Sequence, residues 1–254
     1  MMTVRDVYNA IDAIAPFSTA MDFDNVGLLV GGKDQPVSRV LLTMDITVPV
    51  VEEAAKIGAQ LIVSHHPVIF HPLRSVVADT PVYKLAQNGL SAICAHTNLD
   101  LAANYGVNSA LAIALGLSKF STIPEDDEQL LRVGDLPEEV SGEDFLQGIK
   151  RKLSCSGIQV TEIPDKVRRI AVCGGAGGDY AALAKAAGAD IYITGEAKHN
   201  EILDAAAIGM PMAMCGHHAT EFPALARLQF YLQNAVPGVE FVLTTYTEEP
   251  YKTV

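Results

Sequence analysis

Short apolar runs recur along this chain, and each breaks off into polar residues: Val40–Met44, Leu61–Val63, Ala92–Ala95, Ile170–Val172 and Ile191–Ile193. Runs of this kind read as buried strands. Helical stretches separate them. Val50–Ile57 follows Thr47, a suitable N-cap, and Pro49, which fits a first turn, and it is closed by Gly58. Pro81–Asn88 is closed by Gly89 and Asn104–Leu115 by Gly116. Strands alternating with helices predict an α/β fold with mostly parallel sheets covered on both faces. Ahead of this, Val4, Val7, Tyr8, Ile11 and Ile14 form one face of a helix that Pro16 stops. The acidic segment from Asp22 then feeds a short strand ending at Gly31. Asp22, Asp24 and Asn25 could offer oxygen ligands, but they do not fit an EF-hand loop and read as turn residues.

From Arg169 the chain starts again. Strand Ile170–Val172 runs into the glycine turn Gly174–Gly178, a helix follows over Tyr180–Ala187, and strand Ile191–Ile193 ends in Thr194–Gly195–Glu196. A shift of 130 aligns Val40 with Ile170, Gly58 with Gly188 and His66 with Glu196. A shift of 121 aligns Cys94 with Cys215, His96 with His217 and Asp100 with Glu221. The repeat predicts two similar α/β lobes, 1–118 and 119–254. The second would include a short connector, Lys119–Asp165, with a strand at Leu130–Val133, a turn at Gly134–Pro137 and a helix capped by Ser141. The glycine turn lacks the Gly-Lys-Ser/Thr ending of a phosphate loop, and Tyr180 stands where the last glycine of G-x-G-x-x-G belongs. It reads as tight-turn geometry.

The strand ends carry the chemistry. His65 and His66 follow Leu61–Ser64 directly, and Pro67 stops the ladder there. His96-Thr-Asn-Leu-Asp100 and His217-His-Ala-Thr-Glu221 each place a carboxylate four residues beyond a strand-end histidine, on one face of a helical turn. With the first segment taken through to Leu73, which adds His71, six of the seven histidines fall in these three segments, and this favours a metal site over unconnected histidines. Mixed imidazole and carboxylate ligation suits Zn, Fe, Mn, Co or Ni, and bridging by a carboxylate permits a two-ion centre. His199 reads as solvated. The four cysteines show no Cys-x-x-Cys spacing, and three of them sit in apolar strand-like runs and read as core residues, so a reduced protein is expected. The formal net charge of −12 disfavours nucleic acid as a partner. Glu125–Glu128 reads as a solvated loop. No apolar run reaches a membrane span and the N-terminus lacks a signal-peptide core, so a cytoplasmic protein is expected.

VSHHPVIFHPL, AHTNLD, ITGE and GHHATE, with DNVGLLVG upstream and RVGDLP between, resemble the Nif-three-like family, also called GTP cyclohydrolase I type 2-like. The resemblance runs over nearly the whole chain. It implies two α/β lobes facing one another across a dinuclear metal site, and a toroidal homohexamer. Matched motif by motif, His65, His66, Asp100, His217 and Glu221 would hold two divalent cations per subunit, with Glu221 bridging. His96 would be the acid/base and Glu196 would line the cavity. The domain that some members insert in the middle is absent here. His71 stands where many members have Lys or Arg, and His218 has no assigned role.

The expected activity is hydrolysis of a small molecule, by resemblance a nucleotide such as GTP opened at its purine ring. The alternatives are a non-catalytic metal carrier or insertion factor, and an assembly scaffold with structural metal.

Overall fold

A computed structural model of the chain describes residues 1–247 and 249–252. Helix α1 is Val4–Ile14, and strands β1 and β2 are Gly27–Val30 and Arg39–Thr43. Then come α2 (Val48–Lys56), β3 (Leu61–Ser64), α3 (Pro81–Gln87), β4 (Ser91–Cys94) and α4 (Thr97–Leu101). Continuing, the chain forms α5 (Val107–Leu115), β5 (Lys119–Ser121), β6 (Arg132–Ser141), α6 (Gly142–Lys152), β7 (Gln159–Val160) and β8 (Lys166–Cys173). The remaining elements are α7 (Ala181–Ala186), β9 (Ile191–Thr194), α8 (His199–Ala207), β10 (Met212–Met214), α9 (His217–Glu221), α10 (Pro223–Ala235) and β11 (Glu240–Leu243). None of the helices among the described residues is long and apolar enough to cross a membrane.

The chain divides into two compact units. One is Met1–Gly106 with Leu225–Thr247; the other is Val107–Ala224 with the described residues after Thr247. This departs from the expected boundary of 1–118 and 119–254 at both ends. α5 packs Leu111 and Leu115 into the second unit's core, while β11 returns to pair in parallel with β2 of the first.

The first unit holds a five-stranded sheet ordered β1-β4-β3-β2-β11. All pairings but β1 with β4 are parallel. Thr47 Oγ1 accepts from the Val50 N–H at the start of α2, and Val50, Val51 and Ala54 pack on Leu41 and Ile62 of the sheet. β3 is buried along its whole length, as a run without alternation requires.

The second unit's six-stranded sheet, β5-β6-β8-β9-β10-β7, is mixed rather than mostly parallel. Only β8–β9 and β9–β10 run parallel. The polar connector supplies β5, β6 and β7, and their pairings β5–β6, β6–β8 and β10–β7 are antiparallel. The expected turn at Gly134–Pro137 lies inside β6, which loses its register with β8 between Asp135 and Val140. Pro137 has no N–H to offer there, so the strand bulges instead of turning. Ser141 caps α6 as expected, its Oγ accepting from Asp144 N–H at 3.1 Å. The acidic run is not wholly solvated. Asp126 is buried and accepts from the Leu131 N–H at 2.7 Å, and Glu128 accepts from the Tyr180 hydroxyl.

The shift of 130 holds in the ladders: Thr43 pairs with Ser64, and Cys173 pairs with Thr194. The shift of 121 does not. Ser64 pairs with Cys94, but Thr194 pairs with Met214, so the backbone correspondence is 120. His96 is therefore the N-cap of α4, whereas His217 is the first residue inside α9.

Candidate metal centre

In the first unit the backbone carries both adjacent histidines past the end of β3. His65 N–H donates to Thr43 O at 3.1 Å and His66 N–H to Met44 O at 2.9 Å, so both imidazoles leave from fixed points beside β2. His65 is buried, with Nδ1 2.9 Å from the Ala95 carbonyl oxygen. A carbonyl only accepts, so Nδ1 carries the hydrogen and Nε2 the lone pair. His66 Nδ1 lies 3.0 Å from Asp45 Oδ1, and His96 Nδ1 lies 3.0 Å from Asp24 Oδ1. The same logic leaves Nε2 of each as the donor atom. Ring centroids are 4.9 Å apart for His65–His66, 5.1 Å for His65–His96 and 5.5 Å for His66–His96. One ring nitrogen from each of these residues lies within 4.8 Å of the others. Asp100, on α4, brings Oδ1 to 3.5 Å from His65 Nε2.

Asp24 anchors this group. Burial alone would raise its pKa, but hydrogen bonds from His96, from Thr97 Oγ1 at 2.6 Å and from Thr97 N–H at 3.0 Å outweigh it. Together they hold the carboxyl well below the usual range, and it stays ionised beneath the imidazole. Asp24 reads from sequence as a turn former, and Asp45 draws no attention there. Asp45 does have a signal: it stands two residues beyond the end of β2, as His66 stands two beyond the end of β3.

In the second unit His217 opens α9 and Glu221 lies one turn on. Glu221 is buried, and its Oε1 is 3.2 Å from His217 Nε2. His217 Nδ1 meets Glu196 Oε1 at 2.9 Å, so Glu196 orients this ring rather than merely lining a cavity. The glycine turn makes room for the pair. Gly175 has φ +64°, and a Cβ there would overlap Glu221 Oε1 and lie 3.2 Å from His217 Nε2. Three of its N–H groups are consumed within the unit: Gly174 donates to Asn108 Oδ1 at 2.8 Å, Gly175 to Thr220 Oγ1 at 3.1 Å and Gly177 to Thr194 Oγ1 at 3.1 Å. That is turn geometry, as expected, and not a phosphate cradle.

The remaining histidines stand apart. His71 is exposed, edge-on to Phe70 at 4.8 Å. His218 is buried and stacks on Phe222 at 5.0 Å, a packing role. His199 is exposed at the start of α8. All four cysteines are buried thiols, and burial pushes those of Cys94 and Cys215 far up, away from thiolate reactivity.

Imidazoles oriented by carbonyl and carboxylate acceptors, with carboxylates beside them, are the donor set of a divalent transition metal. The residues fit such an ion, and His96 belongs with the possible ligands as well as with the acid/base groups.

Known proteins resemble this chain along nearly its whole length. The family model of Duf34/NIF3 (NGG1p interacting factor 3) matches residues 2–250. A Clostridium perfringens protein named GTP cyclohydrolase 1 type 2 homolog is 30% identical over 261 residues, covering 99% of each chain. A Streptomyces coelicolor protein of the same name is 35% identical over 238 residues, covering 88% of this chain and 83% of that one. The crystal structure of a Staphylococcus aureus hypothetical protein superposes with a TM-score of 0.92 at 31% identity, covering 100% of this chain and 99% of that one. The chain belongs to the Duf34/NIF3 family.

Proposed function

We propose that the chain is a divalent-metal-dependent hydrolase whose dinuclear centre is held by His65, His66, Asp100, His217 and Glu221, with Glu221 bridging. The observation that carries this reading is the His65–His66–His96 cluster, with ring nitrogens within 4.8 Å of one another and each Nδ1 turned to an oxygen acceptor. Oriented imidazoles of this kind are what metal ligation needs, and what core packing does not. Neither half-set alone offers the ~4 donors per ion that two ions require. Two divalent cations would polarise the substrate and favour water as a nucleophile at neutral pH. His96, with Nδ1 held by an ionised Asp24, has Nε2 available to take and return a proton. Glu196 keeps His217 in one tautomer. The substrate class is a small molecule. The relatives' name suggests a purine nucleotide opened at its ring. A toroidal hexamer in the cytoplasm completes the reading.

The test is metal content by mass spectrometry, followed by turnover of nucleotides and small cyclic amides by the loaded protein. The expected result is about two equivalents of metal and turnover that disappears with the metal in His66→Ala. Less than one equivalent in the wild type, unchanged in His65→Ala and Glu221→Ala, overturns the dinuclear centre. Metal transfer to an acceptor by fully loaded protein without turnover identifies a carrier instead.

A further inference from the structure

Beside His217 the second unit contains a cavity of about 360 Å³. Its wall includes Glu196, which holds His217 Nδ1, and Gly216, which immediately precedes His217. The cavity sits near the lower end of the ~300–1,000 Å³ typical of ligand sites, room for one ring system rather than a whole nucleotide. Ile158 and Met214 give it apolar surface. Its charged groups are all of one sign: Glu196 and Glu249 are carboxylates, and no Lys or Arg lines it among the described residues.

Glu249 is the informative group. Oε1 accepts from the Ala219 N–H at 3.2 Å, which ties the carboxylate to α9. Oε2 is buried and has no hydrogen-bond partner among the described residues. A buried carboxylate oxygen left so is costly unless a donor reaches it. The backbone is shaped around this side chain: Gly216 has φ +98°, and a Cβ there would overlap Glu249 Oε1. At the rim, burial and then the charges of Glu249 and Glu196 push the Tyr251 hydroxyl pKa up, so it remains a neutral O–H.

From this geometry we infer that the cavity is a binding subsite for a planar nitrogen-rich group presenting adjacent N–H donors, an amidine or amino-lactam edge, which Glu249 receives. It excludes anions. A carboxylate takes paired N–H groups in a fork, as it takes guanidinium, and two carboxylates in one cavity repel phosphate or carboxylate ligands. If the substrate is a nucleotide, its base enters here and its phosphates lie elsewhere. As a substrate subsite the cavity rests on the metal-hydrolase reading, but its donor preference does not.

The experiment compares benzamidine with benzoate, which share a shape and differ in charge, by calorimetric titration of the full-length protein as purified and after metal loading. Benzamidine is expected to bind and benzoate not to. In Glu249→Gln benzamidine affinity should fall at least tenfold with metal content unchanged, because the amide oxygen still accepts from Ala219 while the second carboxylate oxygen and the charge are gone. Equal binding of benzoate overturns the inference, and so does benzamidine binding that Glu249→Gln leaves intact. No benzamidine binding by a protein carrying its full metal overturns it while sparing the metal centre. Glu249-dependent benzamidine binding by a protein that takes up no metal supports the inference and overturns the hydrolase reading.

Discussion

Gly175→Ala separates the shape of the second half-site from its backbone cost. A methyl group at Gly175 meets two penalties. The φ of +64° is left-handed, and an alanine there costs about 1–2 kcal/mol. The methyl also overlaps Glu221 Oε1 and lies 3.3 Å from its Cδ, so the carboxylate must move. Gly188 is the control. It has φ +74° with nothing within 4 Å of a built Cβ, so Gly188→Ala bears the backbone penalty alone. Both variants should lose about 2–4 °C of melting temperature per kcal/mol. Only Gly175→Ala should lose metal. Displacing supporting groups around a metal costs ~10–100-fold in affinity, and displacing a ligand costs at least that. That corresponds to about 1.4–2.7 kcal/mol. Competition against a chromophoric chelator reads the affinity, and a thermal melt reads the fold. Equal melting losses with wild-type metal affinity in Gly175→Ala would refute the view that this turn exists to clear space for Glu221.

Other perturbations test the supports. Asp24→Asn keeps the size of the side chain but removes the charge under His96, and metal affinity or turnover should drop ~10–100-fold; unchanged values would remove Asp24 from the site. Burial raises the Glu53 pKa from about 4.5, but hydrogen bonds from Thr244 and Thr245 lower it further than burial raises it. A depressed folded-state pKa gives stability that is present above the unfolded value and lost as pH falls through the folded one. Glu53→Gln should thus melt below wild type at pH ~7, with the gap closing below pH ~4; a gap constant with pH contradicts the linkage. Leu111→Ala, fully buried in the second core, should cost ~2–5 kcal/mol in a urea melt. Glu240→Ala, in an exposed pair with Arg39, should cost under ~1 kcal/mol.

The parallel core of both units was legible because buried strands and capped helices follow local rules: Thr47 and Ser141 cap where their side chains suggest. The connector was less legible. Arg132–Ser141 alternates poorly and contains Gly134 and Pro137, which read as a turn in isolation. Tertiary pairing with β8 makes them a bulged strand instead. The return of β11 to β2 across some 200 residues of sequence has no local signature. At the site, the histidines were found because imidazoles at strand ends are conspicuous. Asp24 and Asp45 were missed because a carboxylate that supports a histidine from another element looks like any turn acid.

The two His-x-x-x-acid motifs show how far identical spelling can diverge. In the second unit the histidine lies inside the helix, so residues four apart meet, and His217 Nε2 is 3.2 Å from Glu221 Oε1. In the first unit His96 is the N-cap, with φ −108° and ψ −108°: its carbonyl still accepts from the Asp100 N–H at 3.0 Å, but its backbone is not helical and its side chain leaves the face of Asp100. His96 turns instead to Asp24, and Asp100 reaches His65 on a different strand. The one-residue difference in register thus explains why one motif closes on itself and the other recruits a neighbour. It also explains the choice of acid at each position, and that can be tested by exchanging lengths. Glu221→Asp withdraws the carboxylate by about one C–C bond, ~1.5 Å, and should open its contact with His217. Asp100→Glu adds the same length where Oδ1 already stands 3.5 Å from His65 Nε2. Each exchange should lower metal content. Were the motifs true repeats, each acid would tolerate the other's length, and both variants would keep their metal.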